Sequence, residues 1–337
     1  MADIADVARE AGVSTATVSR ALRGLSNVSE STRLRVVAVA ERLDYRVSRT
    51  ASGLATGHTG TVGVVVPHIS RWFFGQVITG AERVLRGAGL DLLVYSVDDD
   101  ASRSRFFTQL PARGRVDAML VLSLPLAETE SAALRGLGVP LAIVGAQSDG
   151  FGCVRIDDRH AARVAVRHLV NIGHHRIGLI GGNEDSTLGF TAPGDRLAGY
   201  LDVLADAGLE RRAEWEAPGL FTARGGEQAM TQLLAASQPP TAVFAMSDEM
   251  AIGALKALRR HHLSAPRDIS IVGFDDHEMA EALDLTTIAQ PVASQGEAVA
   301  RMLLDQLKTG KPPEPRILPT HLVVRASTAA PDSRGRT

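Results

Sequence analysis

The chain has 337 residues, of which 45% are hydrophobic and 22% charged, and its formal net charge is −2. This length predicts two or three domains, and the composition is ordinary for a globular protein. The lone cysteine excludes an internal disulfide, no apolar run approaches the roughly 20 residues that span a bilayer, and residues 1–10 lack the apolar core of a signal peptide. We therefore expect a cytoplasmic protein with no membrane partner.

Three short helices are predicted in the first 45 residues, which contain no strand-like run. They are Ile4–Ala11, Thr15–Leu22 and about Ser31–Leu43. Asp3 is placed to cap the first helix, Gly12 to end it in left-handed backbone, and Ser14 to cap the second helix. The second helix therefore begins directly behind a tight turn.

The outward face of the second helix is suited to reading DNA. Apolar residues at helical spacing predict one buried face, which leaves Thr15, Ala16, Ser19 and Arg20 outside. Thr15 and Ala16 are small enough to allow close approach to base edges, and Arg20 can reach a guanine or a phosphate. This is the geometry of a helix-turn-helix, although spacing alone also fits a plain helical hairpin. Charge does not decide, because residues 1–58 hold eight Arg and six acidic residues.

From Thr61 onward, short β-branched runs alternate with amphipathic helices, which indicates parallel sheets built from βαβ units. The predicted strands are Thr61–Val66, Leu92–Val97, Ala118–Leu122, Leu141–Val144, Ile177–Ile180, Ala242–Ala245, Ile269–Phe274 and Leu322–Arg325. The predicted helices are Phe74–Gly87, Arg159–Asn171, Arg196–Ala207, Gly225–Ala236, Met250–His261 and Val292–Lys308. The predicted fold class is α/β, with a helical head and a two-lobed, doubly wound core.

Polar side chains follow several predicted strands, where two-lobed α/β proteins bind their ligands. The candidates are Asp157 and Asp158 after the strand Val154–Ile156, then Ser247, Asp248, Asp275, Asp276 and Gln290, and also Arg196, which lies at the start of a predicted helix and would face the same cleft. Helix capping and turn formation are the competing roles for Asp248 and for one of the pair Asp275 and Asp276. We favour a ligand contact for Asp275 and a structural role for Asp276.

Aromatic residues make up only 4% of the chain, yet three of them stand together at the first strand-to-helix junction. They are Trp72, Phe73 and Phe74. Their rings could stack on the apolar face of a sugar or could pack the start of the helix, and the sequence leaves both roles open. Arg196 with Asp275 offers a charged donor and acceptor that suit vicinal hydroxyls.

Residues 2–46 closely resemble the head of the lactose-repressor/galactose-repressor (LacI/GalR) family, and the resemblance continues to about Ala329. The motifs that carry it are Asp6-Val-Ala-Arg-Glu-Ala-Gly-Val-Ser14, Thr17-Val-Ser-Arg20, Val28-Ser-Glu30, Gly173-His-His-Arg-Ile177, Ser247-Asp-Glu-Met250 and Val272-Gly-Phe-Asp-Asp276. The resemblance implies a periplasmic-binding-protein-like core. It assigns ligand contact most firmly to Arg196 and Asp275, then to Asp248 and Gln290.

For the head, the resemblance implies that Thr15, Ala16 and Arg20 read bases. It implies a role in holding the DNA backbone for Ser14, Thr17, Ser19, Asn27, Ser29 and Thr32. Ser29 is equally well placed to cap the third helix. A hinge follows at 47–58, in which Leu54 would enter the minor groove and pry open the central base step. Val47 replaces the proline common at this point, and Gly53 weakens the predicted hinge helix.

The domain organisation that follows is a head at 1–46, a hinge at 47–58 and a core in two lobes. The first lobe takes 59–158 and 291–320, the second takes 159–290 and 321–330, and 331–337 form a disordered tail. The expected partners are double-stranded operator DNA, a small effector and a second copy of the chain. The predicted dimer forms through first-lobe helices such as Phe74–Gly87.

The predicted function is that of a transcriptional repressor controlled by a small ligand, with a sugar favoured over a purine. The alternatives are a co-repressed regulator of the purine type and a sugar-binding module without regulatory DNA binding. No enzyme, cofactor or metal site is expected. The sequence has no Gly-x-Gly-x-x-Gly after a strand, no Walker lysine, no Gly-x-Ser-x-Gly and no Cys/His cluster.

Overall fold

The computed structural model describes residues 2–22, 24, 27–45, 58–146, 150–182, 188–311 and 313–331. The chain divides into a head, Met1–Gly60, and a core, Thr61–Thr337. The hinge residues Val47, Gly53 and Leu54 lie outside the described residues, so the role of Leu54 stays a prediction. Residues 332–337 also lie outside them.

The head is a bundle of three helices, and the caps predicted from its sequence are present. The helices are α1 (Ile4–Ala11), α2 (Thr15–Leu22) and α3 (Glu30–Arg42). Asp3 accepts hydrogen bonds from the N–H groups of Ala5 and Asp6 at 2.8 and 2.9 Å, and Asp6 accepts from the N–H of Asp3 at 3.1 Å. Gly12 ends α1 at φ +66°. The buried core of the head consists of Val7, Ala8, Ala11, Val18, Ala21, Val36, Val39 and Ala40.

The core contains two six-stranded sheets, which confirms the predicted α/β class. The strands are β1 (Thr61–Val66), β2 (Asp91–Ser96), β3 (Ala118–Leu122), β4 (Leu141–Val144), β5 (Gly152–Arg155), β6 (Ile177–Gly181), β7 (Glu216–Pro218), β8 (Ala242–Ala245), β9 (Ser270–Asp275), β10 (Thr286–Ala289), β11 (Arg316–Ile317) and β12 (His321–Val323). The first sheet has the order β11-β5-β4-β3-β1-β2 and the second β12-β10-β9-β8-β6-β7. All pairs are parallel except β10 with β12.

Helices cover the two sheets. They are α4 (Trp72–Gly87), α5 (Asp100–Gln109), α6 (Glu128–Arg135), α7 (Asp158–Asn171), α8 (Ala192–Asp206), α9 (Ala223–Leu234), α10 (Asp248–Arg260), α11 (Glu278–Ala282) and α12 (Val292–Thr309). We call the first sheet with α4–α6 and α12 the first lobe, and the second sheet with α7–α11 the second lobe. The chain passes between the sheets after β5, β10 and β11. Within the described residues, no helix is both long and apolar enough to cross a membrane.

Several elements differ from the sequence-based expectation. The helices α5, α6 and α11 and the strands β7, β10 and β11 were not predicted. They are short or polar; α5, for example, buries a single side chain, Phe106, so it carries no apolar stripe. The helix predicted from Arg196 begins four residues earlier, at Ala192, because Pro193 stands in its first turn, where the fixed φ of proline favours helix initiation.

In the first lobe, α4 and α12 pack so closely that two glycines are required. A Cβ on Gly80 would lie 1.9 Å from the carbonyl oxygen of Ala293, and a Cβ on Gly296 would lie 2.0 Å from the carbonyl oxygen of Val77. Because the obstructing atoms are backbone, neither clash can be relieved by a side-chain rotation. The two helices can therefore hold this separation only with glycine at both positions.

We expect Gly296→Ala to destabilise the core by about 1–3 kcal/mol, since the two helices must move apart. Urea unfolding of the variant and the wild type measures this loss. The matched control is Gly75→Ala, also in this helix pair, where an added Cβ meets nothing within 4 Å. The control should be neutral or slightly stabilising, because alanine is the better helix former. Equal stability of Gly296→Ala and wild type would contradict the close packing.

Candidate functional site

A cavity that is open to solvent lies in the core. Residues from both lobes line it, and they lie in the segments that follow the carboxyl ends of strands, as expected for a parallel α/β protein. The polar lining consists of Arg71, Ser123, Asp158, Thr191, Arg196, Ser247, Glu249, Asp275, Gln290 and Gln295.

Arg196 of α8 is the buried cation at the centre of the polar lining. Its Nε donates to Asp158 Oδ1 at 2.8 Å, and its Nη1 donates to the carbonyl oxygen of Met246. Its guanidinium carbon lies 3.6 Å from the centroid of the Phe274 ring, and Nη1 is 3.9 Å from Asp275 Oδ1. These contacts hold the guanidinium in one orientation at the carboxyl ends of β8 and β9.

Asp275 presents its carboxyl group from strained backbone at the end of β9. Its φ of +124° is unusual for a residue with a Cβ, and such strain concentrates at binding sites. Gln290 Nε2 donates to Asp275 Oδ1 at 2.6 Å, and Gln290 Oε1 accepts from Gln295 Nε2 at 2.9 Å. Burial raises the pKa of Asp275 to about 8; Arg196 opposes this shift, and the charges of Asp248 and Glu249 add to it.

Arg71 and Glu249 add a second pair of opposite charges to the cavity wall, one from each lobe. Neither side chain has a hydrogen bond or an ion pair with any residue that the structure describes. Burial lowers the pKa of Arg71, and burial raises the pKa of Glu249 while Arg71 opposes that rise. Neither residue was predicted from the sequence, where the only available signal was that each lies one position away from a predicted site residue.

The aromatic wall differs from the predicted one. Phe73 and Phe74 line the cavity together with Phe190 and Phe221 of the second lobe, which were not predicted. Trp72 lies outside the lining, and its ring centroid is 4.7 Å from that of His277. Trp72 instead joins the start of α4 to the second lobe.

Two predicted acidic residues also lie outside the cavity lining. Asp157 is exposed and caps α7 by accepting from the N–H of His160 at 2.9 Å, while its neighbour Asp158 faces the cavity. Asp248 is fully buried, accepts from the Thr287 hydroxyl at 2.6 Å and from the N–H of His277 at 2.8 Å, and so holds the loop after β9. Asp157 is the N-cap of α7 and Asp248 is the first residue of α10, so both carboxylates bond to backbone N–H groups.

Two further predicted residues of the core line the cavity, and a third lies outside it. Ser247 and Gln290 are buried in the lining, and Ser247 also caps α10 by accepting from the N–H of Met250 at 3.3 Å. Asp276 is outside the lining and pairs with Arg325 at 2.8 Å, which agrees with the structural role favoured from the sequence.

In the head, α2 presents an exposed face formed by Thr15, Ala16 and Arg20, with Ser19 half-buried beside them. Ser14 begins this helix, and its Oγ lies 2.9 Å from Thr17 Oγ1 and accepts from the N–H of Thr17 at 3.2 Å. Asn27 is exposed. Ser29 caps α3 by accepting from the N–H of Thr32 at 3.3 Å, so its capping role is present.

We expect Asp275→Asn to change how the stability of the core depends on pH. Because the pKa of Asp275 is about 8, the folded protein keeps a proton that the unfolded chain releases above about pH 4. The wild type therefore loses stability relative to the variant as the pH rises towards 8, and the difference becomes constant above that value. Calorimetric unfolding of both proteins between about pH 5 and pH 9 measures it.

Asp202→Asn is the control for this experiment. Hydrogen bonds from Arg159 and Arg163 lower the pKa of Asp202 to about 2, so it is ionised in both states throughout the same range. Its effect on stability should not vary between about pH 5 and pH 9. A pH-independent effect of Asp275→Asn would mean that the Asp275 carboxyl is already ionised in the folded protein.

Comparison with known proteins matches both parts of the chain. Residues 3–48 match the family described as bacterial regulatory proteins, lacI family, and residues 166–328 match a periplasmic binding protein-like domain. The chain is 36% identical to the HTH-type transcriptional repressor CytR of Escherichia coli K12 over 98% of its own length and 97% of that protein.

Two solved structures are similar over nearly the whole chain. The Lac repressor dimer bound to operator and the anti-inducer ONPF has a TM-score of 0.86 at 28% identity and covers 98% of this chain and 99% of its own. A complex of the transcriptional regulator CelR with cellobiose has a TM-score of 0.71 at 31% identity and covers 97% of this chain and 100% of its own.

These relatives are transcriptional regulators and not enzymes. Their similarity extends through both the helix-turn-helix head and the two-lobed core. The chain therefore belongs to the LacI family of bacterial regulatory proteins and is a DNA-binding transcriptional repressor with a ligand-binding core.

Proposed function

We propose that the core binds a neutral sugar in the cavity and that this binding controls the affinity of the head for its operator. The observation that carries the proposal is the pairing of Arg196 with Asp275 beside a wall of phenyl rings. Arg196 Nη2 and Asp275 Oδ2 have no hydrogen-bond partner among the described residues. Arg196 Nη2 supplies a donor, and Asp275 Oδ2 carries the proton that the carboxyl group keeps at neutral pH, so it can donate to or accept from a neighbouring hydroxyl group.

The balance of charge in the cavity favours a neutral effector. The charge of Arg196 is compensated by Asp158 at 2.8 Å, and the charges of Arg71 and Glu249 oppose each other across the cavity. The raised pKa of Asp275, about 8, removes most of its negative charge at neutral pH. A charged effector would therefore bring an uncompensated charge into a buried site, which costs free energy.

The phenyl rings supply the other half of a sugar site. The side chains of Phe73, Phe190 and Phe221 can pack against the C–H face of a pyranose or furanose ring. The related regulator CelR has been solved with cellobiose, a sugar, which supports this class of effector. A nucleobase is the competing effector, because it could pack against the same rings and its N–H and acceptor groups could bond to Asp275 and Arg196.

We further propose the assembly in which this effector site acts. Residues 1–46 would bind DNA, 47–58 would form the hinge, and the lobes would extend over 59–158 with 291–320 and 159–290 with 321–330. The protein would act in the cytoplasm as a dimer on a pseudo-palindromic operator, as the related Lac repressor dimer does on its own operator. Two heads are needed because one short helix reads too few base pairs.

Arg196→Lys should weaken binding of a neutral sugar by about tenfold or more and leave operator binding by the sugar-free protein unchanged. Lysine keeps the positive charge beside Asp158 but lacks the planar fork that contacts several acceptors at once. A thermal-shift screen of neutral sugars, sugar phosphates and nucleobases identifies the effector, and calorimetric titration of that compound then compares the variants.

Arg159→Lys is the matched control, because Arg159 also pairs with an aspartate, Asp202, through two bonds of 2.8 Å, on the surface outside the cavity. It should titrate like the wild type. Equal affinity of Arg196→Lys and wild type for the sugar would refute the assignment of Arg196. A thermal shift with a nucleobase and none with any sugar would replace the sugar by a purine-type ligand.

Arg20→Ala should weaken specific operator binding by about 1–3 kcal/mol, because the exposed Arg20 of α2 would lose its contact with a base edge or a phosphate. The control is Arg42→Ala at the end of α3, where the arginine pairs with Glu10. Fluorescence anisotropy at one salt concentration, with operator and random DNA, measures both variants. An equal loss of affinity on the two DNAs would assign Arg20 to the DNA backbone and not to sequence reading.

A further inference from the structure

A short segment of the second lobe is inserted into the first lobe beside the cavity. It comprises residues 188–191, between β6 and α8, and we call it the strap. Leu188 is 3% exposed and belongs to a hydrophobic cluster of the first lobe that includes Phe106 and Leu124. Phe190 packs against this cluster and against the other cluster of the first lobe. The strap therefore buries its apolar side chains in the lobe to which it does not belong.

Arg103 of α5 holds the strap through its backbone. Its Nη1 donates to the carbonyl oxygen of Leu188 at 2.9 Å, and its Nη2 donates to the carbonyl oxygen of Pro125 at 2.7 Å. Its Nε and Nη2 donate to the carboxylate of Glu130 at 2.8 and 2.7 Å. Glu130 in turn accepts from the N–H of Ala127 at 2.9 Å.

The ion pair between Arg103 and Glu130, which holds the strap, is largely buried. The side chains of Arg103 and Glu130 are 13% and 15% exposed, so the charge-assisted bonds lie mostly out of water, where such bonds are strong. Glu130 fixes the guanidinium plane, and the plane then directs one N–H at the strap. A lysine could keep the ion pair but could not make all of these contacts at once.

The strap leads directly to residues that line the cavity. Phe190 and Thr191 belong to the lining, and Thr191 is followed by α8, which carries Arg196. The carbonyl of Thr191 accepts from the N–H of Asp195 at 3.0 Å, so the last residue of the strap closes the first turn of α8. Displacement of the strap would therefore disturb both the phenyl wall and the helix that positions Arg196.

We infer that Arg103 and Leu188 are positioning residues for effector binding. They anchor the strap in the first lobe and thereby hold Phe190 and the first turn of α8 at the cavity. This inference rests on the proposed binding of a sugar there. Neither residue lines the cavity, so an effect on binding would have to pass through the strap.

The test uses the full-length protein with Leu188→Ala and Arg103→Lys. Leu188→Ala removes the apolar anchor and leaves the Arg103–Glu130 pair intact, so it keeps the inference testable where Arg103→Lys fails to fold. The matched control is Arg135→Lys, in which a more exposed arginine pairs with Glu128 on the same helix as Glu130, at 2.8 Å, away from the strap.

The first measurement is hydrogen exchange, without any sugar, of the Asp195 amide, whose N–H donates to the Thr191 carbonyl. We expect its exchange to accelerate about tenfold in the two strap variants and to remain unchanged in the control. Unchanged exchange at Asp195 in both strap variants would overturn the inference, because the strap would then not position α8.

The second measurement is titration with the sugar found by the thermal-shift screen. The two strap variants should bind it about tenfold more weakly, whereas Arg135→Lys should bind it like the wild type. Unchanged sugar affinity together with accelerated exchange would make the strap a purely structural contact. If no sugar binds the wild type, the proposed effector class fails, while the exchange measurement still decides whether the strap positions α8.

Discussion

The guanidinium of Arg196 is the group around which the cavity of this repressor is organised. A buried cation is costly unless its donors are paired, and here Asp158, the Met246 carbonyl and the Phe274 ring supply the partners. These partners come from the start of α7 and from the segments that end β8 and β9. One side chain therefore determines the relative position of three segments of the second lobe, and the acceptor Asp275 is placed at the same point.

The two lobes contact each other through groups of different chemistry. Trp72 stacks on His277, Leu188 is buried in the first lobe, and Arg71 faces Glu249 across the cavity without direct contact. The first two contacts are direct and join the lobes. Arg71 and Glu249 have no hydrogen bond to a described residue, so both can form hydrogen bonds with a bound molecule. The cavity thus combines a preorganised wall with polar groups that a ligand can still satisfy, and preorganisation lowers the entropic cost of binding.

How far the site could be predicted depended on the kind of signal. Asp275, Ser247 and Gln290 stand at the ends of strands or directly after them, so the position of the carboxyl ends in parallel sheets was enough to find them. Arg196 lies in the second turn of α8, and the family resemblance was the firmer guide to it. Phe190 and Phe221 could not be found in this way, because they reach the cavity from loops with no local pattern. For Asp157 and Asp158 the sequence identified the pair, but only the backbone conformation after β5 determines which one faces the cavity.

The sequence by itself determined the helical head, the caps at Asp3 and Ser29, the α/β class and the family, because these depend on local spacing and on ordered motifs. The tertiary structure decided which polar residues line the cavity and which are bonded into the fold outside it. Asp248 is the clearest example, since its position after a strand predicts a site residue, whereas its bonds to Thr287 and His277 tie it to the fold. Hydrogen-bond partners distant in the chain leave no periodic signal, so these roles become visible only when the strands are brought side by side.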